Sequence, residues 1–297
     1  MSTQMAGSKG RTAVLRAVLL GCLVATGLTA TATAGAAPKI AFGSGSDGAI
    51  WTVAADGGGL KRLTSGPVDV GGPAWSHSRG TLAFQRGRGS VYYREVWLMR
   101  ADGSNKRRLA YTGPSLSSGG KALAYSANGR MLAGGCKLPG QSNWAVTVLD
   151  LKTRTSRIVC RFGCENGVQS LTWSPDGRRI AATIEYGGGY GMLMIDVANA
   201  RLVKELGGYA SASWRADGKY VLCSFVRVGT PSVTYRLKPD GSRAGKLGKD
   251  QGFPVYSPDG SRYAFVSESG ALMRANGDGA HVRTVYAGHY AGAPAWK

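Results

Sequence analysis

Carboxylates are scarce in this chain: 17 aspartates and glutamates stand against 37 lysines and arginines in 297 residues, with only 3 histidines. Acid–base and metal chemistry therefore have few groups to draw on. No Gly-x-Ser-x-Gly nucleophile elbow occurs, and the cysteines lack the Cys-x-x-Cys spacing that would mark a metal site. Beyond residue 36 no stretch reaches the ~18 to 20 apolar residues of a membrane helix. No segment there sustains the helical apolar period either, so the body of the chain should be almost entirely β. Like charges never run longer than three residues, which leaves no basic tail for nucleic acid and makes that partner unexpected.

Residues 1–36 read as an export signal, because Lys9, Arg11 and Arg16 precede an apolar run from Ala17 to Leu28, and small residues follow to Ala34-Gly35-Ala36. The lipoprotein-like Leu19-Leu20-Gly21-Cys22 falls inside the apolar run, so plain secretion is expected over lipid anchoring. Residues 37–297 should then form one domain, expected as a monomer. Removing the three basic residues of the signal lowers the formal charge from +20 to +17. Such a chain is drawn to anionic surfaces, although a solvated exterior rich in Arg accounts for the charge equally well.

Export permits disulfides among Cys136, Cys160, Cys164 and Cys223. Gly163 lets the chain turn back between Cys160 and Cys164, which favours that small loop; Cys136 paired with either of them is the alternative. Cys223 takes the apolar position of Phe84 and Phe265 in other repeats and reads as a buried thiol. No metal or cofactor is expected.

What the chain does have is repetition. Trp75, Tyr125, Trp173, Trp214, Tyr256 and Trp296 recur at near-even spacing. The first five each open a phrase of aromatic, polar turn and short apolar strand, clearest in Trp173-Ser174-Pro175-Asp176-Gly177 and Tyr256-Ser257-Pro258-Asp259-Gly260. Periods of about 40 to 50 residues, each with several short strands, indicate a propeller or solenoid. Every repeat parses as four strands, with Pro presetting the first hairpin and Gly taking the positive backbone angle. The first repeat begins at Lys39-Ile40-Ala41-Phe42 without its aromatic strand, and the chain ends on Pro294-Ala295-Trp296-Lys297, that missing strand. Joining them closes a ring without open edges, so the expected fold is an all-β six-bladed β-propeller of four-stranded blades, its C-terminal strand completing the N-terminal blade.

Pro73-Ala74-Trp75-Ser76 with Leu82-Ala83-Phe84, and Met99-Arg100-Ala101-Asp102-Gly103-Ser104 with Arg108-Leu109 after it, resemble the repeats of TolB-type β-propellers. The resemblance covers nearly all of residues 37–297 and rests on repetition. Blade 3, with Tyr125-Ser126-Ala127-Asn128-Gly129, departs most. TolB itself has an amino-terminal α/β domain, which has no counterpart between the signal and the first repeat. The resemblance implies a mode of binding, a partner docked over one end of the propeller, and does not name the partner.

The Asp-Gly hairpins should share one structural face. The opposite face carries loops of varied length, and there Arg86, Arg88, Tyr92, Tyr93, Arg94, Lys137, Trp144, Tyr186 and Tyr190 mix rings with cations as protein or glycan surfaces do. Taken singly, each ring covers a blade edge and each charge is solvated; the cluster favours binding. The functional expectation is a secreted, non-enzymatic propeller that engages a protein or an anionic cell-envelope polymer with this face. The alternative is a lyase or lactonase acting on an extracellular carbohydrate or lactone at the channel, for which His289, of the three histidines, is the one placed on the variable face.

Overall fold

In the computed structural model the described residues run from Pro38 to Lys297, apart from 45–46, 66–69, 88–93, 119–121, 141–142, 165–166, 228–229 and 289. The segment 1–37, and with it Arg88, Tyr92, Tyr93 and His289, lies outside the described residues. Every helix-or-strand element among those described is a β-strand. They form six sheets, whose first strands touch their neighbours all the way round. This is a six-bladed propeller. Blade 1 is composite: Tyr290–Trp296 lies antiparallel beside Lys39–Ser44, with Ile40 opposite Trp296 and Ala41 opposite Ala295. One further bond, from the Lys297 N–H to the Lys39 carbonyl at 2.8 Å, finishes the seam.

The hairpins explain why the phrase repeats. In blade 4 the Ser174 hydroxyl donates to the Asp176 carboxylate at 2.6 Å and accepts from the Arg179 N–H at 2.8 Å. Asp176 in turn accepts the Arg178 N–H at 3.0 Å, and Gly177 takes φ +71°. Blade 6 repeats the arrangement at Ser257 and Asp259. Asn128 does the same work in blade 3 with an amide oxygen. The aspartates are thus consumed by local backbone, as side chains at turns are. That leaves them poor candidates for acid–base chemistry.

The core lies between blades rather than in one centre. Between blades 1 and 2, for example, Ile50, Leu63, Trp75, Leu82, Phe84 and Met99 pack together. Alternate residues of each strand feed the clusters on its two sides, as the period of two requires. Blade 3 is the exception to the four-strand pattern. Its inner position is split between Leu123–Tyr125 and a short segment, Ser117–Ser118, that runs parallel to Met131–Lys137. Gly134 makes this possible, since a β-carbon there would collide with the Leu116 carbonyl. Leu116 is consequently fully buried, and the Thr147 hydroxyl holds the Ser115 carbonyl at 2.8 Å.

No disulfide joins Cys136, Cys160, Cys164 or Cys223, so the expected bridge is not formed. Cys136 sits opposite Ala145, and Cys160 opposite Val146, the next residue along the same strand. Successive residues of a strand face opposite sides of the sheet, which keeps Cys136 and Cys160 apart. Cys164 packs against the cluster that holds Cys160, and its sulfur accepts the Gly167 N–H at 3.1 Å. Cys223 is fully buried, and burial pushes its thiol far above the ordinary range.

Candidate functional site

The six first strands surround an axial cavity of about 460 Å³. Five Asp-Gly-type hairpins reach its rim through His77, Ala127, Pro175, Ala216 and Pro258. Those hairpins therefore converge on one mouth. The wall is made of small residues, prolines and aromatic anchors, and among its described residues there is no Asp, Glu, Lys or Arg.

A physical rule governs this wall. The first strand of each blade is an edge strand bordering the channel, and its outward N–H groups need acceptors. On one side of the ring, hydroxyls of the preceding blade supply them: Ser170 accepts from the Ala212 N–H at 3.0 Å, Thr172 from Trp214 at 3.1 Å and Ser213 from Tyr256 at 3.1 Å. On the other side the donor is removed. Pro254, Pro294 and Pro73 occupy the position of Ala212, two residues before the aromatic, in blades 6, 1 and 2. Proline has no N–H and is tolerated in such edges. The channel is thus half hydroxyl-braced and half proline-lined.

Two indoles lock neighbouring blades at the same level. Trp75 Nε1 donates to the Ala295 carbonyl at 3.1 Å and Trp173 Nε1 to Ala124 at 3.0 Å. The indole nitrogens of Trp214 and Trp296 are buried without a partner among the described residues. Phe253, also in the wall, holds φ +48°, where blade 2 places Gly72 at +60°. A phenylalanine in this region is strained, and such strain collects at binding sites. Gly-x-Pro before the aromatic, present at 71–73, 252–254 and 292–294, was the sequence signal for this wall, and attention to the hairpins alone missed it.

The described side chains singled out on the variable face are distributed over blades 2, 3 and 4, at the end of the ring remote from the hairpins. Arg86, on Thr81–Gly87, lies over the Trp97 ring at 5.1 Å. Arg94 is buried at the start of Arg94–Arg100. Lys137 stacks on Trp144 at 5.5 Å, and Trp144 is only 2% exposed, so its ring is core to blade 3. Tyr186 and Tyr190 flank the blade 4 turn. The Tyr186 hydroxyl donates to Glu205 at 3.2 Å; burial and the Glu205 charge raise its pKa. Burial and Glu185 raise that of Tyr190. Arg86, Lys137, Tyr186 and Tyr190 are partly exposed.

Of the histidines, His77 stands at the channel mouth, where burial and the Lys297 charge lower its pKa. His281 is exposed on a blade 6 turn, its Nδ1 3.0 Å from the Asn276 amide. No group of three or more potential metal ligands occurs among the described residues.

Fold and channel together define the class: a closed six-bladed propeller whose described axial lining carries no Asp, Glu, Lys or Arg. No known family profile matches the sequence, and no curated protein does. Solved structures do match. TolB from Acinetobacter baumannii is similar over 87% of this chain, with a TM-score of 0.71 and 18% identity, and the chain spans 66% of that protein's length. A putative TolB from Agrobacterium tumefaciens matches 84% of this chain and 88% of its own, at a TM-score of 0.63 and 16% identity. A chain of a nidogen/laminin complex matches 87% of this chain and 98% of its own, at 0.65 and 11%. The fold is TolB-like, and at these identities the likeness concerns the fold alone.

Proposed function

We propose that this chain is an exported, non-enzymatic binding propeller that engages a protein of the cell envelope through its variable-loop face. The observation that carries the reading is the uncharged channel wall. In a strongly basic chain, a cavity whose described lining has no carboxylate and no metal-ligand cluster gives a lyase or lactonase little with which to move a proton or hold an ion. His77 is the one described imidazole at its mouth and has no acidic partner there. Binding asks less of the wall. The fold shared with TolB propellers supports an envelope location and a scaffold role, and no helix among the described residues is long and apolar enough to cross a membrane.

Arg86, Lys137, Tyr186 and Tyr190 supply forked donors and amphipathic rings on this face, already oriented by stacking on Trp97 and Trp144 or by the Glu205 bond. Pre-oriented contacts lose less entropy on binding. The test is site-specific photo-crosslinking in the cell envelope. A crosslinker at Tyr190 or Arg86 should trap one discrete protein adduct, and one at Asp176 on the hairpin face should not. Equal labelling from both faces, or none from Tyr190 and Arg86, refutes the proposal.

A further inference from the structure

The charge of the domain is unevenly placed. Because the strands alternate in direction, the second hairpin of each blade, between its third and fourth strands, lies on the same face as the Asp-Gly hairpins. Cross-blade bonds bind this face together, as from Arg79 Nε to the Gly129 carbonyl at 2.8 Å and from Lys204 to Asp240 at 2.7 Å. Basic residues flank nearly every turn there and outnumber the turn aspartates. Arg130, Arg178, Lys219, Arg262 and Arg283 are exposed, and their side chains make no hydrogen bond or ion pair among the described residues. On the variable-loop face the described acids are Asp47, Glu95, Glu185, Glu205, Asp250 and Glu268. Arg62 and Arg108 reach Asp47 and Glu95 at 3.2 and 3.0 Å, and Arg86, Arg94, Lys137, Arg161, Arg227 and Lys249 lie at the same end, so there acids and bases nearly balance. Most of the excess positive charge therefore belongs to the hairpin face.

A second observation points the same way. The exposed large hydrophobics among the described residues are Leu60, Leu202, Val203 and Val282, at 42–48% exposure. All four adjoin second hairpins on the basic face, each next to cations: Leu60 before Lys61 and Arg62, Leu202 and Val203 between Arg201 and Lys204, Val282 before Arg283. Leu60 and Val282 belong to adjacent blades, the Gly57 turn of blade 1 lying against the Val285 backbone of blade 6.

We infer that the hairpin face docks on an anionic phospholipid surface, its cations meeting phosphates and Leu60, Val282, Leu202 and Val203 entering the headgroup layer. The hairpins are short and uniform, and the cations are spread over all the blades instead of following a track, which suits a plane. A linear polyanion would use the charges and leave the apolar side chains idle. Interfacial binding combines buried apolar area with attraction to anionic lipid, each nearby Lys or Arg counting separately. The inference is independent of the partner proposed for the opposite face.

The experiment is co-sedimentation of residues 37–297, which close on themselves as one unit, with vesicles of phosphatidylglycerol and phosphatidylcholine or of phosphatidylcholine alone. Binding is expected only to the anionic vesicles. The triple variant Arg130→Glu, Lys219→Glu, Arg262→Glu should lower it at least about tenfold, whereas Arg161→Glu, Arg227→Glu, Lys249→Glu on the other face should change it less than about twofold. Melting curves of both triples check that each is folded. Equal losses from both triples would reduce the effect to net charge and overturn the inference. The pair Leu60→Ser, Val282→Ser should weaken vesicle binding while leaving retention on soluble linear polyphosphate unchanged. Full vesicle binding by that pair assigns the face to polyanions in general and overturns the lipid reading.

Discussion

Closure of the ring depends on Trp296, and its replacement by alanine tests that directly. The indole is 4% exposed and packs with Ile40, Phe42, Val53 and Val285 from blades 1 and 6. Truncating a buried tryptophan costs about 3–5 kcal/mol, set against a total of about 5–15 kcal/mol for a typical domain. At about 2–4 °C per kcal/mol for a domain of this size, the melting temperature should fall by about 6–20 °C. Deleting Pro294 to Lys297 goes further. It strips the acceptor from Trp75 Nε1, adding about 1–3 kcal/mol for a buried donor left without a partner, and opens the edge of Lys39–Ser44 to other chains. Calorimetry and light scattering should report a sharply lower transition and aggregation in the truncated protein. An unchanged melting temperature in either variant would refute the account of closure.

Trp75→Phe and Trp173→Phe each break an interblade bond and should cost about 1–2 kcal/mol more than Trp296→Phe, which breaks none; urea titrations measure the differences. Gly134→Ala forces Leu116 away and should cost about 1–3 kcal/mol, while Gly163→Ala meets nothing within 4 Å and should be nearly neutral by the same assay. Ser257 and the Ser261 N–H hold the Asp259 carboxyl below its ordinary range. Its contribution is present above about pH 4, the unfolded value, and is lost as pH falls through the lower folded value; Asp259→Asn, which copies Asn128, should blunt that acid sensitivity in denaturation midpoints. His77 is the opposite case, since its lowered pKa lets the unfolded chain take up the proton first. Stability should decline as pH drops below about 6.5 and level off beneath the folded value, a step that His77→Asn abolishes.

Much of the fold was legible because the repeat encodes it locally. Ser-Pro-Asp-Gly specifies a hairpin through its own side-chain bonds, so its position could be read without knowing any distant contact. The split of one blade between the two ends of the chain was equally visible, being an omission in the pattern. Blade 3 was less legible, because the tucked segment near Leu116 depends on Gly134, a residue about twenty positions away whose only signal is a missing side chain. For the alternative cysteine pairing, Cys136 with Cys160, the reason is related. Spacing along the chain does not say on which side of a strand a residue will fall, and Cys136 and Cys160 fall on opposite sides.

The candidate site divides along the same line between local and distant information. Rings and cations near turns could be located at the correct end of the ring, yet their exposure could not: Trp144 and Arg94 look like surface residues in sequence and are buried in the structure. The hairpin face presents the converse. Its uniformity marks it as architectural, and for each single turn that is so, because every Asp is tied to its own backbone. Summed over the blades, however, several of the bases that accompany those turns, Arg130, Arg178, Lys219, Arg262 and Arg283, are not tied, and repetition places them on one plane. A motif kept for folding thereby generates a charged surface that no single copy reveals. If that plane rests on lipid, the variable loops necessarily face away from it, toward the envelope partner proposed for them. Crosslinks from Tyr190 should then survive when the protein is bound to anionic vesicles, and a bilayer that blocks them would place the two functions on the same face and break this division.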